Sequence, residues 1–519
     1  MRTGYCSILV PLLLLASSVA RSESIPDPIL LSTHDFPGQP GMVWYVGHPS
    51  VNAAGLVAFV GHNLGLGDYY YVDGVLQIQS GDALVGVPGT LNQFLRRNDK
   101  GDRRINLSGD VTYTADLDGV PTTANEVHCL NHTVLLREGD PAPGVPGQVL
   151  ARFRHSVITD SGTVFVRAEL DGPTTDFDAV YAIPNGGVPA LLQMNSNSAF
   201  LSGAPIVGGP LDGEYWSGAF RPSTCNAAGA LIVTGVLASG DRVVLRKPPG
   251  ADYEVLLRAG ASISTPQGAV GPITSVLPDV AGANGNDHWA GVARVGSGVG
   301  STVMVLADVG AGLQVVAQQG QDISALTEAP GSLLGPTWDA DVNASGQVVL
   351  LGWIYDATGV SQGKGVFMWQ GGNLGLLMTH PAPIPGHPSI TLAEPQECHV
   401  NDQGRVFVHG HGGGFLDGVF EIVPGASFVR GDCNNDASTN IADAVWLLAH
   451  LFSTGTGSAF LACESACDGN DDGALNIGDA VLVLGVLFGV SPTSLPDPLS
   501  CDVDPTTDSL PCEDSVACP

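Results

Sequence analysis

One short pattern returns seven times along this 519-residue chain, and it constrains the fold more than any other feature. The pattern is an Asn, a Gly three residues later, and then alternating apolar residues. It reads "VNAAGLVAF" from Val51, "INLSGDVTY" from Ile105, "ITDSGTVFV" from Ile158, "CNAAGALIV" from Cys225, "VNASGQVVL" from Val342 and "VNDQGRVFV" from Val400, with a degraded copy, "ANGNDHWAG", from Ala283. The copies stand roughly 58 residues apart, a period expected of propeller blades or solenoid units. Each reads as a turn feeding a strand. Asn tolerates turn conformations, Gly takes positive φ, and the alternation places every second side chain on one buried face.

After each such strand come a second strand, a hairpin gap and a run such as "VLLREGDPAPGVPG" from Val134, with relatives from Val75, Ala190, Val255, Val315 and Leu376. The seventh relative is displaced. After "VNDQGRVFV" the chain offers only "GVFEIVPG", and the missing element stands at the other end as "ILLSTHDFPGQPG" from Ile29. A closed ring explains a unit split between the termini, because an N-terminal strand completing the last blade removes free sheet edges. The expected fold is therefore mainly β: a seven-bladed β-propeller over 24–425, closed by the N-terminal strand. An open array of small β units is the alternative. The repeats resemble a family of bacterial secreted proteins with tandem NxxGxxAF-like repeats and variable C-terminal sorting modules, a resemblance that implies architecture and no defined activity.

The formal charge of −31 and the scarcity of lysine (Lys100, Lys247 and Lys364) disfavour phosphate backbones, so nucleic acid is not an expected partner. "MRTGYCSILVPLLLLASSVARS" reads as a secretory signal over 1–20, with Arg2 before an apolar run and small residues near Ala20. That run is too short to span a bilayer comfortably, and no later segment reads as a membrane anchor. The expected location is extracellular or at the cell surface, where disulfides form. Cys433, Cys463, Cys467, Cys501, Cys512 and Cys518 cluster in the tail and mark it as stapled, with the pairing left open.

The tail twice presents an acidic loop followed by an apolar helix: "GDCNNDASTNIADAVWLLAHLF" from Gly431 and "CDGNDDGALNIGDAVLVLGVLF" from Cys467. Oxygen-bearing side chains fall at loop positions 1, 3, 5, 9 and 12: Asp432, Asn434, Asp436, Asn440 and Asp443, then Asp468, Asn470, Asp472, Asn476 and Asp479. Position 7 supplies a main-chain carbonyl, from Ser438 and Ala474. Ca²⁺ takes six to eight oxygens at about 2.3–2.6 Å, and loops of this spacing deliver them. Acidic, Asn-rich turns also begin helices as N-caps, but ligand types at the same five positions of both copies go beyond capping. Two Ca²⁺ sites are expected. The second is the better formed, with Gly473 at the sharp bend where the first has Ala437.

This duplicated unit resembles a dockerin over 430–489, a small α-helical calcium domain related to EF-hands, with 490–519 a Pro- and Cys-rich stapled coil. The resemblance implies a calcium-folded docking module of the kind carried by secreted, often polysaccharide-degrading, proteins. A cohesin-like or cell-surface protein is the implied partner. The Ser-Thr pair of cellulosomal dockerins at positions 10 and 11 is here Ile441-Ala442 and Ile477-Gly478. The helices from Ile441 and Ile477 are expected to pack their Val, Leu and Phe faces together.

Other signals point elsewhere. "HGHGGG" at His409 lacks the G-x-S-x-G of an esterase and reads as a glycine-rich hairpin. His399, His409 and His411, alternating near Cys398, read as surface residues of strands, not a zinc site. Asp35, Asp82 and Asp140 recur in equivalent turns, and "RGD" at Arg430 gives its Asp to the first loop. The functional expectation is a non-catalytic secreted calcium-binding protein whose propeller presents loops to a glycan or surface ligand. The alternative is a carbohydrate-active enzyme, a glycoside hydrolase or polysaccharide lyase, with carboxylates in the propeller channel.

Overall fold

The computed structural model describes stretches of the chain between Ser24 and Cys512; residues 1–23 and 513–519 lie outside the described residues, as do shorter segments, the longest being 95–103, 195–210, 453–460 and 501–509. The signal segment expected at 1–20, together with Cys501 and Cys518, lies outside them. Two compact units are present, Ser24–Val423 and a second that contains the chain from Pro424 onward.

The first unit is a seven-bladed β-propeller. Seven successive sheets span 45–79, 90–137, 149–194, 216–258, 273–318, 333–380 and 382–424, their strands paired in chain order. The last sheet takes its edge strand from the start of the chain, Ser24–Leu31 lying beside Leu416–Pro424. Between blades, the chain turns through small hairpins built from the Gly- and Asp-rich runs, such as Asp35–Phe36 with Gln39–Met42 and Ile263–Thr265 with Gly268–Val270. In the equivalent turn of the first blade, Asp82 accepts the amide of Gln79 at 2.9 Å, a turn role for this recurrent acid.

Blades pack face to face, so both faces of a strand are buried. This is why Val348–Leu351 reads as an unbroken apolar run. Val348 and Leu350 join Val292 and Val305 of the fifth blade, while Val349 and Leu351 join Leu392 and Val408 of the seventh. Each such side chain contributes about 1.5–3 kcal/mol when buried. The first and last blades meet in the same manner, through Val57, Phe59 and Tyr71 against Phe407 and Val419.

The repeated Asn has two tasks. Its side-chain oxygen accepts the amide four residues on, as Asn52 does from Leu56 at 2.9 Å and Asn343 from Gln347 at 2.9 Å, closing a turn whose Gly has positive φ. Its amide, or an adjacent group, then reaches the next blade. Asn52 donates to the Asn106 carbonyl at 2.8 Å, and Asn343 to that of Asn401 at 2.9 Å. Leu107 donates to Asp160 at 3.1 Å, and Asp402 to the Ala53 carbonyl at 3.1 Å, joining the seventh turn to the first.

Buried carboxylates do comparable work deeper between blades. Asp68 accepts the amide of Phe94 (2.9 Å), Glu126 that of Phe153 (2.5 Å) and Asp339 that of Cys398 (2.7 Å), each on a strand of the following blade. Those strands carry bulges, and a carboxylate satisfies an amide that the irregular ladder leaves over. Cys129, Cys225 and Cys398 are buried thiols, not disulfides, and His409, expected at the surface, is 1 % exposed because both faces of its strand are covered.

One buried group makes the propeller sensitive to acid. His380 is 3 % exposed, with Nδ1 3.1 Å from the Leu392 carbonyl. Burial, reinforced by the Lys364 charge and partly opposed by that carbonyl, lowers its pKa to about 4. The unfolded chain takes up this proton near pH 6.5, so the contribution is fully present above that value. It is lost as pH falls from about 6.5 to about 4, amounting to about 3 kcal/mol. Denaturant midpoints at pH 7.5 and pH 4.5 should differ less for His380→Gln than for the parent protein. An equal pH dependence would refute the assignment.

Candidate calcium loops of the C-terminal unit

The second unit holds helices α2 (Ile441–Phe452), α3 (Glu464–Cys467) and α4 (Ile477–Leu487); a short α1 (Ser324–Thr327) belongs to the propeller. α2 and α4 each follow one acidic loop, and the two loops have nearly the same internal bonding. In the first, Asp432 accepts the amides of Asp436 (3.0 Å) and Ala437 (2.9 Å), and Asp443 those of Asn434 (3.0 Å) and Asn440 (2.7 Å). In the second, Asp468 accepts from Asp472 (3.3 Å) and Gly473 (2.8 Å), and Asp479 from Asn470 (3.3 Å) and Asn476 (2.8 Å). Asn434 bonds Asp436, and Asn470 bonds Asp472, each at 2.9 Å.

Position 6 shows how the loops converge despite different residues. Ala437 and Gly473 have φ of 67° and 75°, and position 4 is also left-handed at Asn435 and Asp471. Ala437 therefore adopts a conformation that costs a residue with a Cβ about 1 kcal/mol. The capping role is real as well. The Asn476 side chain accepts from Gly478 at 2.7 Å and forms a reciprocal box with Asp479, and Asn440 accepts from Ala442 at 2.8 Å. The carbonyls of Ser438 and Ala474 accept the Asn440 and Asn476 amides, each at 2.9 Å.

The electrostatics suit a hard cation. Asp432, Asp443, Asp468 and Asp479 are at most 3 % exposed. Burial raises the Asp479 pKa to about 6, with the Asp468 charge adding to it and loop amides opposing it. Burial and the charges of Asp432 and Asp436 likewise raise Asp443. A divalent ion among these oxygens would reverse both shifts. Among the described residues no group of three His, Cys, Asp or Glu side chains forms a metal cage by itself. The donor chemistry of each loop is instead mixed, carboxylates with Asn and main-chain oxygens, which is what Ca²⁺ accepts.

Two features tie the loops together. Cys433, at position 2 of the first loop, is bonded to Cys467, which immediately precedes the second; Cys463 is bonded to Cys512. Arg430 is wholly buried and donates to the Asp468 carbonyl at 2.7 Å, pairs with Asp471 at 2.9 Å and lies over Phe428 at 5.4 Å. Sequence reasoning missed this brace. The signal available was one basic residue standing just before a long segment that has no other.

The helix packing corrects one expectation. Ala444 and Leu447 of α2 meet Ala480 and Val483 of α4, with Leu461 and Leu495. The phenylalanines instead face outward, Phe452 at 67 % and Phe488 at 70 % exposure, as do Val445 (58 %) and Val481 (61 %). At about 100° per residue, Ile441, Val445 and Phe452 fall within about 40° of one another, well away from the buried stripe, and Ile477, Val481 and Phe488 repeat the arrangement. Small residues near each helix start allow close approach there and turn the large ones away.

A seven-bladed propeller with a separate, disulfide-bonded helical unit is thus the class of protein that the chain defines. The chain belongs to the family of unknown function DUF7453, which matches residues 67–418. Among curated proteins none matches the sequence. Solved structures similar to it include an oligogalacturonate lyase in complex with manganese, 10 % identical over 78 % of this chain and 98 % of that one, with a TM-score of 0.38. Polysaccharide lyase Uly1 is 11 % identical over 78 % of this chain and all (100 %) of its own, with a TM-score of 0.33. A Pyrococcus horikoshii acylaminoacyl peptidase is 8 % identical over 75 % and 55 % of the two chains, with a TM-score of 0.37.

Proposed function

We propose that this is an exported, non-catalytic binding protein whose dockerin-like C-terminal unit takes up two Ca²⁺ ions and attaches the propeller to a cohesin-like or cell-surface protein. The propeller, held closed by its N-terminal strand, presents loops to a glycan or surface ligand. One observation carries the docking reading: Ile, Val and Phe are exposed at the same three positions after both loops, as Ile441, Val445 and Phe452 and as Ile477, Val481 and Phe488. Burying these side chains would favour association, and a contiguous exposed apolar surface is characteristic of interaction sites. Asp432, Asn434, Asp436, Asn440 and Asp443, with the Ser438 carbonyl, would hold one ion. Asp468, Asn470, Asp472, Asn476 and Asp479, with the Ala474 carbonyl, would hold the other.

Calorimetric titration of the chelator-stripped full chain tests the metal. The expected result is two ions per chain, falling to one in Asp468→Ala. At about a thousandfold excess over Kd, calcium should stabilise the C-terminal unit by about 4 kcal/mol. A chain that takes up no calcium at millimolar concentration refutes the reading. Val445→Asp combined with Val481→Asp should keep calcium uptake and abolish calcium-dependent association with the cell surface; unchanged association would dismiss the apolar stripes as the docking face.

A further inference from the structure

The third blade carries Thr where the first and sixth carry the Asn whose amide reaches the next turn. Asn52 and Asn343 send an amide to the next turn. Their counterpart is Thr159, whose hydroxyl is spent on its own turn, accepting from Thr163 at 3.0 Å and sharing a proton with Ser161 at 2.9 Å. Its methyl group approaches Gly229 of the fourth blade, where an added Cβ would lie 3.8 Å away. Beside this turn a cavity of about 420 Å³ opens between the third and fourth blades. Ser161 and Thr163 line it on one side, Lys247 and Pro249 on the other, with Phe165 and Leu192 as apolar wall.

Lys247 supplies a second, independent observation. Lys364 stands beside Glu394 at 4.0 Å, yet Lys247 has no carboxylate partner among the described residues, in a chain of formal charge −31. Its ammonium donates to the Ala251 carbonyl and sits 5.2 Å from the Tyr253 ring centroid, and the residue lines the cavity. An ammonium has three N–H donors, so two remain for a ligand. The cavity thus combines a fixed cation, hydroxyl groups able to donate or accept, and an apolar wall, in a volume at the small end of ligand sites.

From this we infer that the cleft between the third and fourth blades binds one sugar ring bearing a carboxylate, a uronic acid unit of an acidic glycan. The carboxylate pairs with Lys247, the ring hydroxyls bond Ser161 and Thr163, and the ring's C–H face lies on Phe165 and Leu192. The inference deepens the reading of the propeller as a ligand-binding element and is independent of the calcium loops. It names a ligand class that the charge of the whole chain would argue against, since only this local cation makes an anion welcome.

The test titrates the full-length protein with glucuronate, glucose and inorganic phosphate, in calcium and in chelator. Saturable glucuronate binding in both media is expected, with glucose about tenfold weaker or more, the size expected for one charge-assisted hydrogen bond, and phosphate weaker because it lacks the ring contacts. Lys247→Met should reduce glucuronate to the glucose level, and Ser161→Phe, at an exposed position, should fill the cavity and remove binding while the melting temperature holds. Glucose binding as well as glucuronate would show that Lys247 does not read the ligand, and phosphate binding equally tightly would reduce the cleft to a simple anion site. Binding retained in Ser161→Phe, or absent from the parent protein, overturns the assignment. Loss confined to chelator would instead place the sugar on the calcium unit.

Discussion

Removing Ser24–Leu31 is expected to destabilise the propeller by roughly 4–8 kcal/mol and to make it self-associate. The strand is the edge of the seventh sheet, beside Leu416–Pro424. Its loss would strip the ladder from one side of a nine-residue strand. Each backbone hydrogen bond contributes about 0.5–1.5 kcal/mol net, and an eight-residue strand forms about that many in a ladder. The uncovered edge would also recruit other chains. The ring would not fall apart at once, because Phe407 and Val419 still pack on Val57 and Phe59, and Asp402 still reaches Ala53. Denaturant unfolding and light scattering measure the two effects. A permuted chain in which residues 24–31 follow Pro424 should recover both, and a truncated chain as stable and monomeric as the parent would refute closure by this strand.

Arg430→Ala is the second large effect, expected to destabilise the C-terminal unit by about 3–5 kcal/mol. The guanidinium is 0 % exposed, so its removal takes a buried donor from the Asp468 carbonyl and a charge partner from Asp471. The disulfide between Cys433 and Cys467 would remain, so the unit should loosen more than unfold. Hydrogen exchange at the amides of the second loop measures this directly. Arg430→Met with Asp471→Leu should regain most of the loss, since an apolar pair of similar volume often substitutes for a buried ion pair. Exchange rates unchanged in the single variant would show that the brace is dispensable.

Much of the propeller was legible because its repeat is written in local chemistry. Asn oxygen closes a turn onto its own chain, Gly takes positive φ, and alternation defines a strand, all within nine residues. The displaced seventh element pointed to a ring because one unit is split between the two ends of the repeat region. The acidic loops were legible too, since the spacing of their oxygen-bearing residues, the cap and the bend are local, and the near-identity of their hydrogen bonds follows from near-identity of sequence. Ala437 shows the limit: a residue poorly suited to position 6 is held there by the bonds from Asp432 and its neighbours.

What lay between elements was not legible. The two helices were expected to pack their Val, Leu and Phe faces together, yet packing geometry gave the interior to Ala444, Leu447, Ala480 and Val483 and left Phe452 and Phe488 exposed. The pairing of Cys433 with Cys467 depends on two loops coming side by side, which no spacing encodes. Thr159 stands in plain view within "ITDSGTVFV", but the cavity it lines appears only when the fourth blade is set against it.

The sequence by itself therefore determined the units: seven turn-and-strand repeats and two oxygen-rich loops, each specified by side chains acting on their own backbone. The tertiary structure alone decided which surfaces are shared and which are left open, because packing and burial depend on residues far apart in the chain.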